Sequence, residues 1–431
     1  MMTLHENELL FQQLLEETQK HTGIALPYVE KDYWVTYAVQ KLFSSPQKEK
    51  IAFKGGTALA KCYHAINRFS EDIDIALAFK EGDSRSLRRS TMRRISKTIS
   101  KIFPEIEDPY TRKEEIIRTT AHAYGDLTKK EGLGQVKGYI KLEVTQMGSY
   151  EPSQISTMQS YITDYLEEIG DQTTLEKYSL KAFPVRVLGL ERTLCEKISC
   201  LNLYSRAMKP YEALGNRIRH IFDLHALTQL KKIRAYMATD AFDTMMLTVK
   251  KEEEKNYQHN NLKLVFPPSK ASIFSQSLQT LKAIPAKSKS AFNRMLIDSQ
   301  LPSNESLANS LSQIHQALQK ITWHTPEEKK EGWVDRMYRK INVHLPYDGV
   351  YTSIVIAKDH ASIANKKQTG TLYIFPVDSE ERRLSRLMEL AKRDGLPIKV
   401  TEGYTKAYPA QVDLLKRLVK EYGVRVENTN E

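Results

Sequence analysis

The segment 51–77 contains the feature that most restricts how this chain can fold. Residues 51–54 (IAFK) are typical of a short strand, and Gly55-Gly56-Thr57 interrupts it before a stretch with helical spacing. Residues 72–77 (DIDIAL) then alternate polar and apolar side chains, which predicts a second strand with one polar face. Because side chains two positions apart on a strand project to the same side, Asp72 and Asp74 should share that polar face.

Paired carboxylates of this kind favour a metal site. Two carboxylates side by side repel each other unless a cation lies between them. Mg²⁺ binds carboxylates, substrate phosphates and water, and two divalent ions about 4 Å apart can stabilise the attacking and leaving oxygens of a phosphoryl displacement. Glu143, on the polar face of a strand predicted over 137–146, is a candidate third ligand. Taken singly, Asp-x-Asp is more often a solvated strand face and Glu143 an exposed strand residue.

The residues around the glycine pair are suited to binding a nucleoside triphosphate. Backbone N–H groups at a helix N-terminus attract phosphate, and glycine allows close approach. A glycine pair alone is more often a tight turn, and Arg68 could equally pair with Glu71. The candidate nucleotide-binding residues are Lys54, Gly55, Gly56, Thr57, Arg68 and Ser70.

Length and composition indicate a folded chain of two or three domains. The chain has 431 residues, of which 41% are hydrophobic and 27% charged. It has no apolar run long enough for a membrane helix, and its start lacks the basic and apolar blocks of a signal peptide. Its cysteines (Cys62, Cys195 and Cys200) have neither disulfide-framework nor zinc-site spacing. We therefore expect a cytoplasmic protein without a membrane partner.

A net charge of +11 favours a polyanionic partner, although it also serves solubility. The most basic segment is an amphipathic helix predicted over 84–103, with an apolar stripe and a basic remainder. Arginine and lysine contacts to phosphates position RNA without reading its sequence. A solvated helix face explains the pattern equally well. The candidate nucleic-acid-binding residues are Arg88, Arg89, Arg93, Arg94 and Lys97.

The patterning predicts an α+β protein in three parts. A domain with a mixed sheet and helices is expected over 1–180, followed by a helical domain over 181–322. A small α/β module is expected over 333–431. The predicted elements outside the site are helices at 188–208, 216–230, 379–393 and 409–421, strands at 350–357, 371–377, 397–401 and 423–427, and a polar connection at 251–268.

Several stretches resemble one known family. The segment 53–77 (FKGGTALAKCYHAINRFSEDIDIAL) is similar to the AbiEii/AbiGii toxins, including the MenT-type toxins, of the DNA polymerase β nucleotidyltransferase superfamily. The resemblance covers roughly residues 5–322 and leaves out the last hundred or so. Its other matching stretches are VEKDYWVTYAVQKLF (29–43), IKLEV (140–144), LGLERTLCEKISCL (188–201), RIRHIFDLHAL (217–227) and the helices at 291–318.

The resemblance implies a fold, an activity and two further site residues. The implied fold is a nucleotidyltransferase-type mixed sheet with helices in a catalytic domain over 1–180, with the helical domain over 181–322 completing the active site. It implies a nucleotidyltransferase (EC 2.7.7-type) that uses Mg²⁺ or Mn²⁺ to transfer NMP from an NTP to an RNA acceptor, with the tRNA 3′ end favoured, and releases pyrophosphate. It also implies a toxin–antitoxin or phage abortive-infection system serving antiviral defence, with a cognate antitoxin as partner. Lys197 and Asp223 are implied site residues: Lys197 would bind a nucleotide phosphate, and Asp223 would act as a base or orient the acceptor hydroxyl. Without the resemblance, a surface lysine and a helix–helix salt bridge are the favoured interpretations of these two residues.

Two alternatives remain at the level of the sequence. The same catalytic residues could transfer a nucleotide to a protein or a small molecule. A nucleotidyltransferase-fold module could also bind a partner without catalysis. The presence of Asp72, Asp74 and Glu143 together argues against the second alternative, since a degenerate site usually loses a ligand.

Overall fold

The computed structural model forms two compact units. The first comprises Met1–Glu253 and Ala271–Lys320, and the second comprises Glu254–Lys270 and Ile321–Glu431. The described residues are 2–78, 83–114, 116–125, 137–146, 150–207, 209–256, 267–297, 300–323, 343–347, 350–356, 361–363, 385, 388, 392, 398–401, 409–423 and 426–429. Among these, no helix is both long enough and apolar enough to cross a bilayer.

A mixed sheet organises the first unit. Its strands are β1 (Ile51–Lys54), β2 (Ile73–Leu77), β3 (Glu105–Ile106), β4 (Arg112–Lys113), β5 (Ile117–His122), β6 (Ile140–Thr145), β7 (Ser153–Met158) and β8 (Phe183–Leu188). Their order is β3-β5-β6-β2-β1-β8-β7, with β4 also pairing with β5. The β2–β6 and β1–β8 pairs are parallel, and the remaining pairs are antiparallel. The mixed sheet predicted from the sequence is confirmed.

Alternation along the central strands separates the core from the site. Ile73 and Ile75 of β2 are fully buried, as are Leu142 and Val144 of β6. Burying one such side chain contributes about 1.5 to 3 kcal/mol, which fixes the register because a slip by one residue would expose the whole apolar face. The intervening polar positions therefore all project to the opposite side of the sheet.

Helices pack against this sheet and against one another. They are α1 (Glu8–Thr22), α2 (Leu26–Phe43), α3 (Gly55–Lys61), α4 (Arg85–Ser100), α5 (Tyr161–Glu168), α6 (Gln172–Lys177), α7 (Leu190–Tyr204), α8 (Pro210–Gly215), α9 (Ile218–Gln229), α10 (Lys231–Met237), α11 (Asp240–Asn256), α12 (Ser272–Ser275), α13 (Ser277–Ala283), α14 (Ala286–Asn293) and α15 (Asn304–Lys320). The basic helix predicted at 84–103 is confirmed as α4. The side chain of its N-cap Ser84 accepts a hydrogen bond from the backbone N–H of Leu87.

Two predicted boundaries are wrong. The helix expected from Leu188 begins at Leu190, because Leu188 is the last residue of β8. The polar connection expected from 251 begins later, because α11 continues through Asn256. The three-part domain division stays a prediction, although β8 lies in the sheet rather than in a purely helical region.

The second unit is a small α/β structure, as predicted. It contains β9 (Val343–Tyr347), β10 (Val350–Ile356), β11 (Ala361–Ile363), β12 (Ile398–Thr401), α16 (Pro409–Tyr422) and β13 (Val426–Thr429). The sheet order is β13-β12-β11-β10-β9, with parallel β11–β12 and β12–β13 pairs. Neither β9 nor β11 was predicted. The predicted strand at 371–377 lies outside the described residues, as does most of the predicted helix at 379–393.

Candidate active site

The register of the first sheet places three predicted site residues side by side. Lys54 on β1 is the antiparallel partner of Asp74 on β2. Asp74 is in turn the parallel partner of Glu143 on β6. Because directly paired residues project to the same face of a sheet, all three lie on its polar side. Asp72 immediately precedes β2, two positions before Asp74.

The pKa of Asp74 is raised by burial and by its acidic neighbours. Burial raises the pKa of Asp74, and the carboxylates of Glu143 and Asp72 raise it further. Burial alone would lower the pKa of Lys54, but Glu196 and Asp74 outweigh burial and raise it, which keeps the ammonium charged. Lys54 Nζ lies 3.1 Å from Glu196 Oε2 on α7. A further cation on this face would relieve the repulsion between the carboxylates.

Asp72 is anchored through its backbone. Its carbonyl oxygen accepts a 2.7 Å hydrogen bond from Thr57 Oγ1. Its Oδ1 is buried and has no hydrogen-bond donor among the described residues. Its Oδ2 lies 3.9 Å from Nη1 of Arg219 on α9. A buried carboxylate oxygen without a donor is costly, and a bound cation would remove that cost.

The glycine pair makes room for two site side chains. Gly55 has φ +80°, and a Cβ there would lie 2.1 Å from Asp74 Oδ2. A Cβ on Gly56 would lie 2.3 Å from Arg68 Nη2 and 2.7 Å from Ser70 Oγ. Both glycines are therefore required by side chains of the site, which is a different reason from the phosphate approach predicted from the sequence.

A buried ionic cluster adjoins the glycine pair. Asp223 on α9 is fully buried and accepts hydrogen bonds from Arg68 Nε at 2.8 Å and Arg68 Nη2 at 2.9 Å. Lys197 Nζ on α7 donates to Asp223 Oδ2 at 2.7 Å. Burial would raise the pKa of Asp223, but Arg68 and Lys197 outweigh it and hold the pKa well below its ordinary value. This geometry favours an orienting role for Asp223 over a role as a base.

His220 completes this cluster as a neutral group. Its Nδ1 lies 3.2 Å from Lys197 Nζ. Burial lowers the pKa of His220 well below its usual value, and the charge of Lys197 lowers it further. The neutral ring accepts a hydrogen bond from the lysine at Nδ1, so Lys197 Nζ is directed by two acceptors, Asp223 and His220.

Arg68 pairs with Asp223, and the alternative pairing with Glu71 is not formed. The Glu71 carboxylate lies 3.3 Å from Lys31 Nζ and accepts from the backbone N–H of Lys137 at 2.9 and 3.1 Å. The backbone beside Arg68 is also fixed, because Phe69 N donates to the carbonyl oxygen of Met295 at 2.7 Å. Segments distant in sequence therefore set the position of this guanidinium.

One known protein family matches this chain. The model of the nucleotidyl transferase AbiEii toxin family, described as a type IV toxin–antitoxin system, matches residues 38–347. The chain belongs to the AbiEii family. The match begins later than the resemblance expected from residue 5 and extends beyond 322. No curated protein and no solved structure matches the chain.

Membership of the AbiEii family implies a divalent cation. The donor atoms of the acidic face have the chemistry that such a cation prefers. Asp72, Asp74 and Glu143 offer only carboxylate oxygens, the donors that Mg²⁺ and Mn²⁺ prefer, and Asp72 Oδ1 is an unsatisfied one. Within the described residues, however, no three His, Cys, Asp or Glu side chains are gathered closely enough to hold a metal. Glu143 is engaged by Lys141, whose Nζ lies 3.2 Å from Glu143 Oε2.

The other predicted nucleotide-binding residues lie around the same site. The Thr57 hydroxyl is buried, donates to the Asp72 carbonyl and lies 3.1 Å from Ser70 Oγ, so both hydroxyls support the Asp72 backbone here. Their direct contact with phosphate stays a prediction, as do the contacts of Lys54, Arg68 and the glycines.

The predicted nucleic-acid-binding residues lie along α4. Arg89, Arg93, Arg94 and Lys97 are exposed. Arg88 is half-buried, and its Nε donates to the carbonyl oxygen of Asp83 at 3.0 Å. The role of this surface stays a prediction.

Four residues of the site were missed by the sequence analysis: Lys141, Glu196, His220 and Arg219. Two had a usable signal. Lys141 stands two positions before Glu143 and therefore shares the polar side of β6 with it. Arg219 stands one helical turn before Asp223 on α9. Burial would lower the pKa of Lys141, but the carboxylates of Asp72 and Glu143 outweigh burial and raise it. Lys141 is therefore a charged member of the acidic face.

Proposed function

We propose that this AbiEii nucleotidyltransferase transfers NMP from an NTP to the 3′ hydroxyl of an RNA, with tRNA as the favoured acceptor. The observation that carries the proposal is the polar face where Asp74 and Glu143 pair in register beside Asp72, whose buried Oδ1 has no donor among the described residues. An acidic face of this kind, with Lys54 paired in register with Asp74, suits an anionic substrate that arrives with a divalent cation.

In the proposed reaction, the RNA 3′ hydroxyl attacks the α-phosphorus. A new P–O bond forms, the bond to the β-phosphate oxygen breaks, pyrophosphate leaves and the hydroxyl proton passes to water. Asp72 and Asp74 would hold the divalent cation, and Glu143 would be a further ligand. When bound, that cation supplies positive charge to the oxygens of the transferred phosphoryl group.

The chain's own cations orient the nucleotide. Lys197, directed by Asp223 and His220, and Lys54, held by Glu196, present ammonium groups for the phosphates. Asp223 acts through Lys197 and Arg68 and is a positioning residue. The exposed arginines of α4 bind the RNA backbone, and the protein works in the cytoplasm with a cognate antitoxin.

A label-transfer assay tests the proposal. The purified chain is incubated with total tRNA, Mg²⁺ and each α-labelled NTP in turn. We expect label in RNA, release of pyrophosphate, and loss of both on chelation. Asp74→Asn should abolish transfer, whereas Asp171→Asn, at the N-cap of α6, should not.

The other outcomes separate the remaining hypotheses. Label in protein or in a small molecule, with none in RNA, would overturn the RNA acceptor and favour the other class of nucleotidyltransferase. Growth arrest that persists in the Asp74→Asn variant, with no NTP turnover by the parent protein, would show a binding module instead.

A further inference from the structure

Lys141 lies where the acidic face would receive a cation. It stands two positions before Glu143 on the polar side of β6, and its Nζ lies 3.2 Å from Glu143 Oε2. The parallel register pairs Ile73 with Leu142, so Asp72 and Lys141 stand one position before that pair. Lys141 is thus flanked by one predicted metal ligand along its own strand and by another across the sheet.

The Lys141–Glu143 ion pair is also more readily opened than the buried Lys197–Asp223 pair. Its side chains are 20% and 32% exposed, whereas those of Lys197 and Asp223 are 6% and 0% exposed. A partly hydrated pair contributes little to stability and separates at low cost. A buried pair that loses a partner leaves an uncompensated charge. Glu143 can therefore exchange its partner without disturbing the Arg68–Asp223–Lys197 cluster.

Other nearby cations are less suited to this exchange. Lys54 Nζ is held by Glu196 on α7, and Arg219 approaches Asp72 no closer than 3.9 Å. Lys141 alone among these three contacts Glu143 in the described part of the chain.

We infer that Lys141 is a built-in counter-cation of the metal-free site, which competes with the divalent ion for Glu143. This inference rests on the proposed metal dependence. Lys141 neutralises the acidic face until a divalent ion takes Glu143, and its ammonium then turns away from that carboxylate. Its effect is to weaken metal binding while stabilising the metal-free protein.

Metal binding without nucleotide tests this competition. The full chain is titrated with Mn²⁺, and free Mn²⁺ is followed by electron paramagnetic resonance. Lys141→Met should bind Mn²⁺ about tenfold more tightly than the parent, the effect of removing one unit charge a few ångströms away in a partly hydrated site. The matched control is Lys113→Met, because Lys113 on β4 pairs with Glu105 at 2.8 Å in the same sheet. It should leave Mn²⁺ affinity unchanged.

Thermal unfolding separates competition from a structural role. Lys141→Met should lower the Tm of the metal-free protein and increase the rise in Tm that Mn²⁺ produces, because tighter binding to the folded state adds stability. A structural role would lower the Tm equally with and without metal. Lys141→Gln serves as the second variant if Lys141→Met does not fold.

A failure of the counter-cation inference and a failure of the proposed metal dependence give different results. If the parent binds Mn²⁺ and both Lys141 variants bind it equally or more weakly, the counter-cation inference is wrong and the proposed function stands. If neither the parent nor the variants bind Mn²⁺ alone or with an unreactive NTP analogue, the metal dependence itself is wrong.

Discussion

Gly55 illustrates how a single backbone position controls the site. Gly55 and Gly170 have nearly the same positive φ, +80° and +78°. A Cβ on Gly55 would collide with the Asp74 carboxylate, whereas a Cβ on Gly170 would meet nothing within 4 Å. The two positions therefore separate the cost of backbone strain from the cost of displacing a predicted metal ligand.

We expect Gly55→Ala and Gly170→Ala each to lose about 1 to 2 kcal/mol of unfolding free energy from left-handed strain. Only Gly55→Ala should also lose nucleotidyl transfer, by about 100-fold, because Asp74 must move. Urea unfolding and label-transfer rates measure the two effects. Equal activity in both variants would show that Asp74 tolerates displacement.

Asp223 links stability to pH. Its folded-state pKa is lowered, because Arg68 and Lys197 outweigh burial. Its contribution is therefore present in full above the unfolded pKa of about 3.9 and is lost as the pH falls toward the folded pKa. Asp223→Asn should cost about 3 to 5 kcal/mol at neutral pH, because two buried cations lose their anion.

The measurement is urea unfolding of the parent and Asp223→Asn at neutral pH and at successive values below 4. The stability difference between them should shrink as the pH falls. Asp171→Asn is the control, because Asp171 also has a lowered pKa, caused by hydrogen bonds from Thr174, but is only half-buried. A stability difference that does not change with pH would contradict the prediction.

At the scale of elements, α4 offers a test of RNA binding by charge. Arg93 and Arg94 are exposed on α4, and Lys282 and Lys287 are exposed on α13 and α14. In Arg93→Ala/Arg94→Ala, the slope of log affinity against log salt should fall by about 0.7 for each phosphate of single-stranded RNA that an arginine no longer neutralises. Fluorescence anisotropy with labelled tRNA measures this slope.

The matched double variant Lys282→Ala/Lys287→Ala removes the same charge from another surface and should keep the parental slope. If both double variants change the slope equally, net charge rather than α4 governs RNA binding.

Elements with strong local periodicity were predictable, and those defined by distant pairing were not. The alternation of 137–146 and the apolar stripe of 84–103 correctly indicated β6 and α4. The strands β5 and β8 were missed. β8 contains a proline and only a short apolar alternation, and it is a strand because it pairs along its length with β7 and in parallel with β1 through Phe53 and Val187. Such a contact between distant segments leaves no local signal.

The site residues divide in the same way, into those predictable from local spacing and those defined by contacts between distant segments. The spacing of Asp72, Asp74 and Glu143 on predicted strands led directly to their common face. The Arg68–Asp223 pair joins residues 155 positions apart, so neither its geometry nor the burial of its charges follows from local pattern. Only the family resemblance pointed to Asp223, and it did not indicate that Arg68 is its partner.

At the scale of the whole molecule, the candidate site lies in the first unit. Asp72, Glu143, Lys197 and Asp223 all precede Glu253, where the first segment of that unit ends. We therefore expect a chain ending at Trp323 to fold and to retain label transfer, because no site residue is removed. Thermal unfolding and the label-transfer assay check this. A folded but inactive truncated chain would assign the C-terminal residues a part in catalysis.

The long separation between Arg68 and Asp223 has a consequence during translation. A ribosome-bound chain that ends before Asp223 already contains Asp72 and Asp74, but it lacks the anion that aligns Arg68 and Lys197. The backbone beside Arg68 also waits for Met295. We therefore expect nascent chains and chains terminated before Met295 to be harmless to the cell that makes them, with toxicity beginning only when the last of these segments has left the ribosome.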